Sequence, residues 1–334
     1  EQRNQFIRGT FGRYVSEEVV VQLLDSPEGL QLGGERRRVS ILMIDLRGFT
    51  SISERLPPET VVNMLNRYIE TVVEVAIHYG GTVNSIEGDG VMVIFGAPIA
   101  SDDIAAQAIA CAIAIQQAIA QVNEFNGADG LPLIRAGAGV NTGEVVVGNI
   151  GSRQRATYTA IGLHVNIAAR IEAYAPGGQV FISEATQQEV GEQLTLGRSL
   201  QVRPKGLKDP LTIYEVKGIK GSHNLHLPES TDTLQDITPQ SVTYTEVQGK
   251  KGGSEIRHAN MIRLSSERAE VLPIDSVQLL SSLKVTLHDN EGNPLDGEIY
   301  AKVVDIHPEK DTFVLAFTAL DPKIEASIHG ILNG

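Results

Sequence analysis

The chain has 334 residues, 42% of them hydrophobic and 21% charged, with 28 Lys and Arg against 41 Asp and Glu for a formal net charge of −13. At about 150 residues per domain the length suggests roughly two domains, and the acidic balance argues against a main role on nucleic acid or an anionic membrane, since both call for a basic face. The single cysteine, Cys111, excludes intrachain disulfides and thiolate metal cages and fits a reducing, cytoplasmic compartment.

Residues 1–30 read as an amphipathic helical lead-in, with Val19, Val20, Leu23 and Leu24 on one stripe and Pro27-Glu28-Gly29 ending it. The sequence starts at Glu1 rather than Met, so the lead-in is expected to continue from an upstream region, a sensor or a membrane anchor. Arg36–Arg38 reads as a solvated charged face. Val39–Asp45 is a continuous apolar run closed by an acid, the pattern of a buried central strand. Pro58–Tyr79 carries Val61, Leu65, Tyr68, Ile69, Val72 and Val75 at helical spacing and ends on Gly80-Gly81.

Thr82–Ile86 and Val91–Phe95 flank the tight turn Glu87-Gly88-Asp89-Gly90, which predicts a hairpin. Asp102–Phe125 reads as an alanine-rich helix. Its apolar run, Ile104–Ile119, is broken by Gln107, Gln116 and Gln117 and falls short of the ~20 apolar residues that span a bilayer. Ile134–Asn141 and Glu144–Gly148 suggest a strand pair turning at Thr142-Gly143. Asn166–Tyr174 reads as a helix, Gln179–Ile182 as a strand and Leu211–Val216 as a closing strand. Ser183–Val190 is a short helix with Ser183 as its N-cap.

Residues 221–240 are polar and aperiodic and read as a linker. Beyond them Ser241–Val247, Asn260–Leu264, Leu283–His288, Glu298–Ile306 and Thr312–Phe317 are short strand-like runs, and Lys323–Leu332 is helical. The expected organisation is an α+β domain over 31–220, with helices packed on its sheet, followed by a small β-barrel with a terminal helix over 241–334.

Two constellations carry chemistry. Asp45 ends one buried strand, and Asp89 sits in the hairpin turn of what should be a neighbouring strand. Two converging carboxylates repel unless a cation lies between them, and hard divalent ions take such oxygen ligands together with phosphate. Gly48, three residues after Asp45, would let backbone N–H groups approach an anion. Taken alone, these residues fit equally a strand-end acid and an ordinary hairpin turn. Asn166 and Arg170 share one helix face, where an amide and a guanidinium can hold a ribose and a phosphate, or merely cap the helix and face solvent.

The segments IDLRGFTSISE, LNRYI, GGTVNSIEGDGVMVIFGAP, GVNTGEVVVGNIGS, YTAIGLHVNIAARIE and PKGLKDPLTIYEV occur in order. Together they resemble the class III nucleotidyl cyclase catalytic domain of the soluble bacterial type over about residues 10–218, with a ferredoxin-like sheet. The resemblance implies cyclisation of a purine nucleoside triphosphate to a 3′,5′-cyclic nucleotide and pyrophosphate. It implies that Asp45 and Asp89, with the carbonyl of Leu46, hold two Mg²⁺ or Mn²⁺ ions, and that the backbone of Gly48, Phe49 and Thr50 cradles phosphates. Asn166 would orient the ribose and Arg170 would stabilise the α-phosphate. Lys205 matches a phosphate-binding lysine, with Lys208 the nearby alternative. The family shares its sites between two protomers, so a homodimer is expected.

The base-reading positions of the family fall on Ser85 and Thr159. Threonine there accompanies adenine, whereas serine replaces the usual lysine, so ATP is the expected substrate with looser discrimination against GTP. A guanylyl or dual-specificity cyclase, or a weakly active nucleotide-sensing module, are the alternatives. The C-terminal stretch GEIYAKVVDIHPEKDTFVLAFTALDPKIEASIHGIL resembles the end of a PilZ domain. The ligand turn of that family falls on Arg263-Leu264-Ser265-Ser266-Glu267-Arg268, where only Ser265 matches. A PilZ-like fold without the usual cyclic di-GMP binding is therefore expected, with a changed backbone at Arg268.

Overall fold

The structure, a computed structural model, describes residues 31–333 apart from 153, 205, 208, 230, 231, 249, 250, 253, 254, 274, 276 and 290. The predicted lead-in over 1–30 lies outside the described residues. The chain divides into two compact units: residues up to Leu46 with Val62–Pro228, and Arg47–Val61 with Glu229–Gly334.

The first unit is built on β1 (Gly33–Leu46), β2 (Thr82–Glu87), β3 (Gly90–Phe95) and β4 (Ala136–Gly151), with α2 (Pro58–His78) and α3 (Ile104–Ala128) as crossovers. The four strands lie in the order β2-β3-β1-β4 with antiparallel neighbours, the ferredoxin-like arrangement expected from the sequence. The sheet continues through β6 (Val180–Ser183), β8 (Leu211–Ile219) and β7 (Leu194–Val202), while β5 (Ala156–Ile161) pairs with the outer half of β4. Among the described residues only β4 and β6 pair in parallel. Val39, Ile41, Leu42 and Ile44 of β1 are fully buried, which accounts for their unbroken apolar run.

Helix α2 buries Met64, Tyr68, Val72 and Ala76, one stripe at four-residue spacing, with Val61, Leu65, Ile69 and Val75 half-buried beside it. Helix α3 is buried over most of residues 104–116, including Cys111, and is more exposed beyond them. It is long and apolar enough to cross a bilayer by length and composition, yet 67% of its most apolar window is buried within the protein, as in a core helix. Helix α5 (Glu184–Val190) starts as expected: the Ser183 hydroxyl accepts from the Thr186 N–H at 3.2 Å.

One expectation fails here. Thr142-Gly143 does not turn a hairpin; β4 runs straight through it, with Ser40 facing Thr142 and Val39 facing Gly143 on β1. Gly143 serves a close approach, because a Cβ on it would stand 2.2 Å from the ring of His164. Strands β5 and β7 were not expected. β5 shows no sustained buried alternation, so its sequence carried little strand signal.

The second unit is a closed antiparallel barrel: β10 (Gln235–Gln248), β12 (Arg257–Leu264), β13 (Arg268–Leu272), β16 (Thr312–Leu320), β15 (Ile299–His307) and β14 (Ser282–Leu287), with β14 returning to β10. The short β11 (Lys251–Gly252) extends its edge, and β9 (Leu225–His226) belongs to the first sheet. Val242, Met261, Val271, Val303, Phe313 and Leu315 fill the barrel, with Ile324 and Ile328 of the terminal helix α6 (Pro322–Asn333).

The predicted linker over 221–240 is partly structured. It contains β9 and the first six residues of β10, and Asp232 bonds Arg268 and Ser265 of the barrel. The second unit also takes in α1 (Phe49–Ser53): Arg55, just after it, donates to the carbonyl of Leu320. At Arg268 the backbone has strand conformation, and its N–H donates to the Ser265 hydroxyl at 2.9 Å.

Candidate active site

Strand β1 delivers Asp45 to the edge of the core. The register pairs Ile44 with Val91, which sets Asp45 opposite Gly90 and hence beside Asp89 in the β2–β3 turn. A Cβ built on Gly90 would stand 3.5 Å from the Asp45 carboxylate oxygen, so the acid lies over that turn. Gly88 holds a left-handed φ of 65°, which a side chain would strain and which lets the turn close in two residues. The two acids, 44 residues apart in sequence, are thereby neighbours at one strand end.

These ligands fit a hard divalent ion. Every donor is oxygen, and among the described residues no three His, Cys, Asp or Glu side chains gather into a complete metal cluster. An ion on Asp45 and Asp89 would therefore draw its remaining oxygens from the Leu46 carbonyl, water and phosphate. Gly48 adopts a left-handed conformation with φ 71° and opens the five-residue helix α1, which carries Phe49 and Thr50. Lys205 and Lys208 lie outside the described residues.

Asn166 and Arg170 occupy α4 (Leu163–Tyr174), four residues apart and both exposed. The opposite face of α4 is pinned to β4. Ala168 and Ile171 are buried, and Asn141 donates to the His164 carbonyl at 2.8 Å and meets its Nδ1 at 3.1 Å. Burial, and then the nearby Arg38, hold the His164 imidazole below its ordinary pKa, with Glu144 opposing. Beside the exposed pair stand the apolar side chains Ile161 and Leu163, 51% and 58% exposed, with Val146 opposite Ile161 across β4–β5.

Thr159 on β5 and Ser85 on β2 are both half-buried. The side chain that bonds Thr159 is that of Asn84, one residue before Ser85: the Thr159 hydroxyl donates to Asn84 Oδ1 at 2.9 Å. Asn84 Nδ2 in turn donates to the Tyr158 carbonyl at 2.8 Å. Nothing in the sequence singles out Asn84, because its orientation depends on an irregularity in the β2–β3 register between Val83 and Ser85.

The adenylate and guanylate cyclase catalytic domain matches residues 34–218, more than half of the chain. The chain belongs to that cyclase family. The match ends at residue 218, before the strands of the barrel. Adenylate cyclase 1 of Rhizobium meliloti (strain 1021) is 34% identical over 212 residues, 63% of this chain and 32% of that protein. The chain thus spans about a third of the length of that curated relative. Among solved structures, the guanylyl cyclase Cya2 is 46% identical with a TM-score of 0.58, over 59% of this chain and 100% of that one. The adenylyl cyclase CyaB from P. aeruginosa is 32% identical with a TM-score of 0.55, over 58% and 100%. The cyclase domain of this chain therefore resembles enzymes of both base preferences.

Proposed function

We propose that the cyclase domain converts ATP to 3′,5′-cyclic AMP and pyrophosphate. The observation that supports the reading is the Asp45 carboxylate lying over Gly90, the residue next to Asp89 in the β2–β3 turn. Asp45, Asp89 and the Leu46 carbonyl would hold two Mg²⁺ or Mn²⁺ ions, which when bound acidify a hydroxyl and neutralise triphosphate charge. In the reaction the ribose 3′-oxygen forms a bond to the α-phosphorus, the bond from that phosphorus to the bridging oxygen of the β-phosphate breaks, and pyrophosphate leaves. Asn166 fixes the ribose so that its 3′-oxygen is aligned, and Arg170 donates to the α-phosphate oxygens as their charge rises. Gly48, Phe49 and Thr50 offer backbone N–H groups to the phosphates, with Lys205 a further cation.

Two copies complete the site in this reading, with the acids of one protomer facing Asn166 and Arg170 of its partner. The exposed Ile161, Leu163 and Val146 beside Asn166 support a face that a second copy covers. Thr159 favours adenine. The 46% identity to Cya2 supports guanylyl or dual-specificity cyclisation as the second reading. Cyclic-nucleotide formation from ATP and from GTP, each with Mg²⁺ and with Mn²⁺, separates the two. The substrate is a cytosolic nucleotide, so the reading places the domain in the cytoplasm.

The barrel, in the same proposal, is a PilZ-like module that no longer takes cyclic di-GMP. Arg263 bonds Glu270 at 3.0 Å and Arg268 bonds Asp232 at 2.8 Å, so both guanidiniums of the turn are engaged by acids of the second unit. An interaction or dimer-supporting role fits better. Calorimetry of the full chain with cyclic di-GMP should register no binding; tight binding would contradict this.

A further inference from the structure

We infer that Asn84 is a positioning residue that sets the hydrogen-bond polarity of Thr159, turning its hydroxyl into an acceptor for the amino group of adenine. The inference rests on the reading above, in which Thr159 faces the purine base.

The polarity follows from the partners. A backbone carbonyl only accepts, so the amide group of Asn84 must turn its NH₂ to Tyr158 O, 2.8 Å away. The amide oxygen then faces Thr159, and an amide oxygen also only accepts. The hydroxyl 2.9 Å away must therefore spend its one proton on Asn84. What Thr159 can still offer a ligand is a lone pair. Adenine presents an amine donor at its 6-position where guanine presents a carbonyl acceptor, so a hydroxyl locked as acceptor matches adenine and meets guanine lone pair to lone pair.

The fold holds this device in place from both sides. Val83 pairs with Val93 and Ser85 with Met92, so Asn84 is the extra residue of a bulge, and bulges re-aim a side chain. On the other side, Thr159 is fixed by pairing with Gly148, and the bonds of Asn84 tie β2 to β5 across 75 residues of chain. Thr159 remains half-buried, open enough to meet a base. The chain thus has a second route to base choice that does not depend on the lysine Ser85 replaces.

The test uses the full chain and two ratios. One is the ratio of dissociation constants for 3′-deoxy-ATP and 3′-deoxy-GTP, which lack the attacking hydroxyl and report base choice whether or not the enzyme turns over. The other is the ATP-to-GTP ratio of kcat/KM. Asn84→Leu frees the Thr159 proton to meet guanine, and both ratios should shift toward GTP by about three- to tenfold. Asn84→Gln keeps both an amide donor for the Tyr158 carbonyl and an acceptor for Thr159, and should shift both ratios less than leucine does. Should the leucine variant not fold, Asn84→Ala carries the same expectation. Thr159→Val tests the underlying reading: if it leaves both ratios unchanged, Thr159 does not face the base and that reading fails first. If Thr159→Val moves the ratios but Asn84→Leu does not, or if Asn84→Gln moves them as far as leucine does, the assignment to Asn84 alone is overturned.

Discussion

Gly139 lies directly beneath Glu172: a Cβ on this residue of β4 would stand 2.2 Å from the backbone nitrogen of Glu172 in α4 and 2.9 Å from the Ala168 carbonyl. Gly139 is also locked between Met43 of β1 and Phe181 of β6, so the strand cannot retreat. The helix carrying Asn166 and Arg170 can therefore sit at its present height only over glycine. Gly139→Ala should cost about 1–3 kcal/mol in thermal or denaturant unfolding. It should lower kcat further than stability alone requires, because α4 must rise. An alanine variant with parental melting and turnover would show that α4 is not seated this way.

His164 anchors the start of the same helix as a neutral ring, because Asn141 Nδ2 points at its Nδ1 and a proton there would collide with that donor. Its folded pKa is lowered, by burial first and then by Arg38. The unfolded chain thus binds the proton more readily than the folded one. Stability is unaffected well above the ordinary histidine value of about 6.5, and it declines as pH falls through that value toward the lower folded one. His164→Gln should flatten this acid limb in melting curves taken between about pH 8 and 5. An unchanged limb would assign it to other groups.

The shared-site reading makes a mixing prediction. Asp45→Asn and Arg170→Ala should each lose at least about two orders of magnitude in kcat while melting as the parent does. Mixed, they should regain activity, because a heterodimer keeps one site with both acids and an intact Asn166–Arg170 face. Two inactive variants that stay inactive when mixed, yet exchange subunits, would place the whole site within one protomer.

The acids were legible in the sequence because each ended a recognisable element: Asp45 closed an apolar run, and Asp89 sat in a glycine turn between two strands. Packing then made them neighbours, through a register that no spacing rule states. Gly143 was misread for a physical reason. A glycine after a polar residue serves a turn or a close approach equally well, and only the ring of His164 against it decides. The linker was misread because polarity does not distinguish a solvated connector from a segment whose acid, Asp232, is drawn into the barrel by Arg268. Asn84 was out of reach altogether. Strand alternation would turn Asn84 and Ser85 to opposite faces, and it is the bulge that brings Asn84 to Thr159.

The central claim is tested most directly by incubating the purified chain with ATP or GTP in the presence of Mn²⁺, with Asp45→Asn as the control, and identifying the product. The account predicts 3′,5′-cyclic AMP and pyrophosphate from ATP, a smaller yield of cyclic GMP from GTP, and neither from the folded control. Cyclic GMP as the main product would contradict the base assignment, and equal product from the control would contradict catalysis by the acid pair.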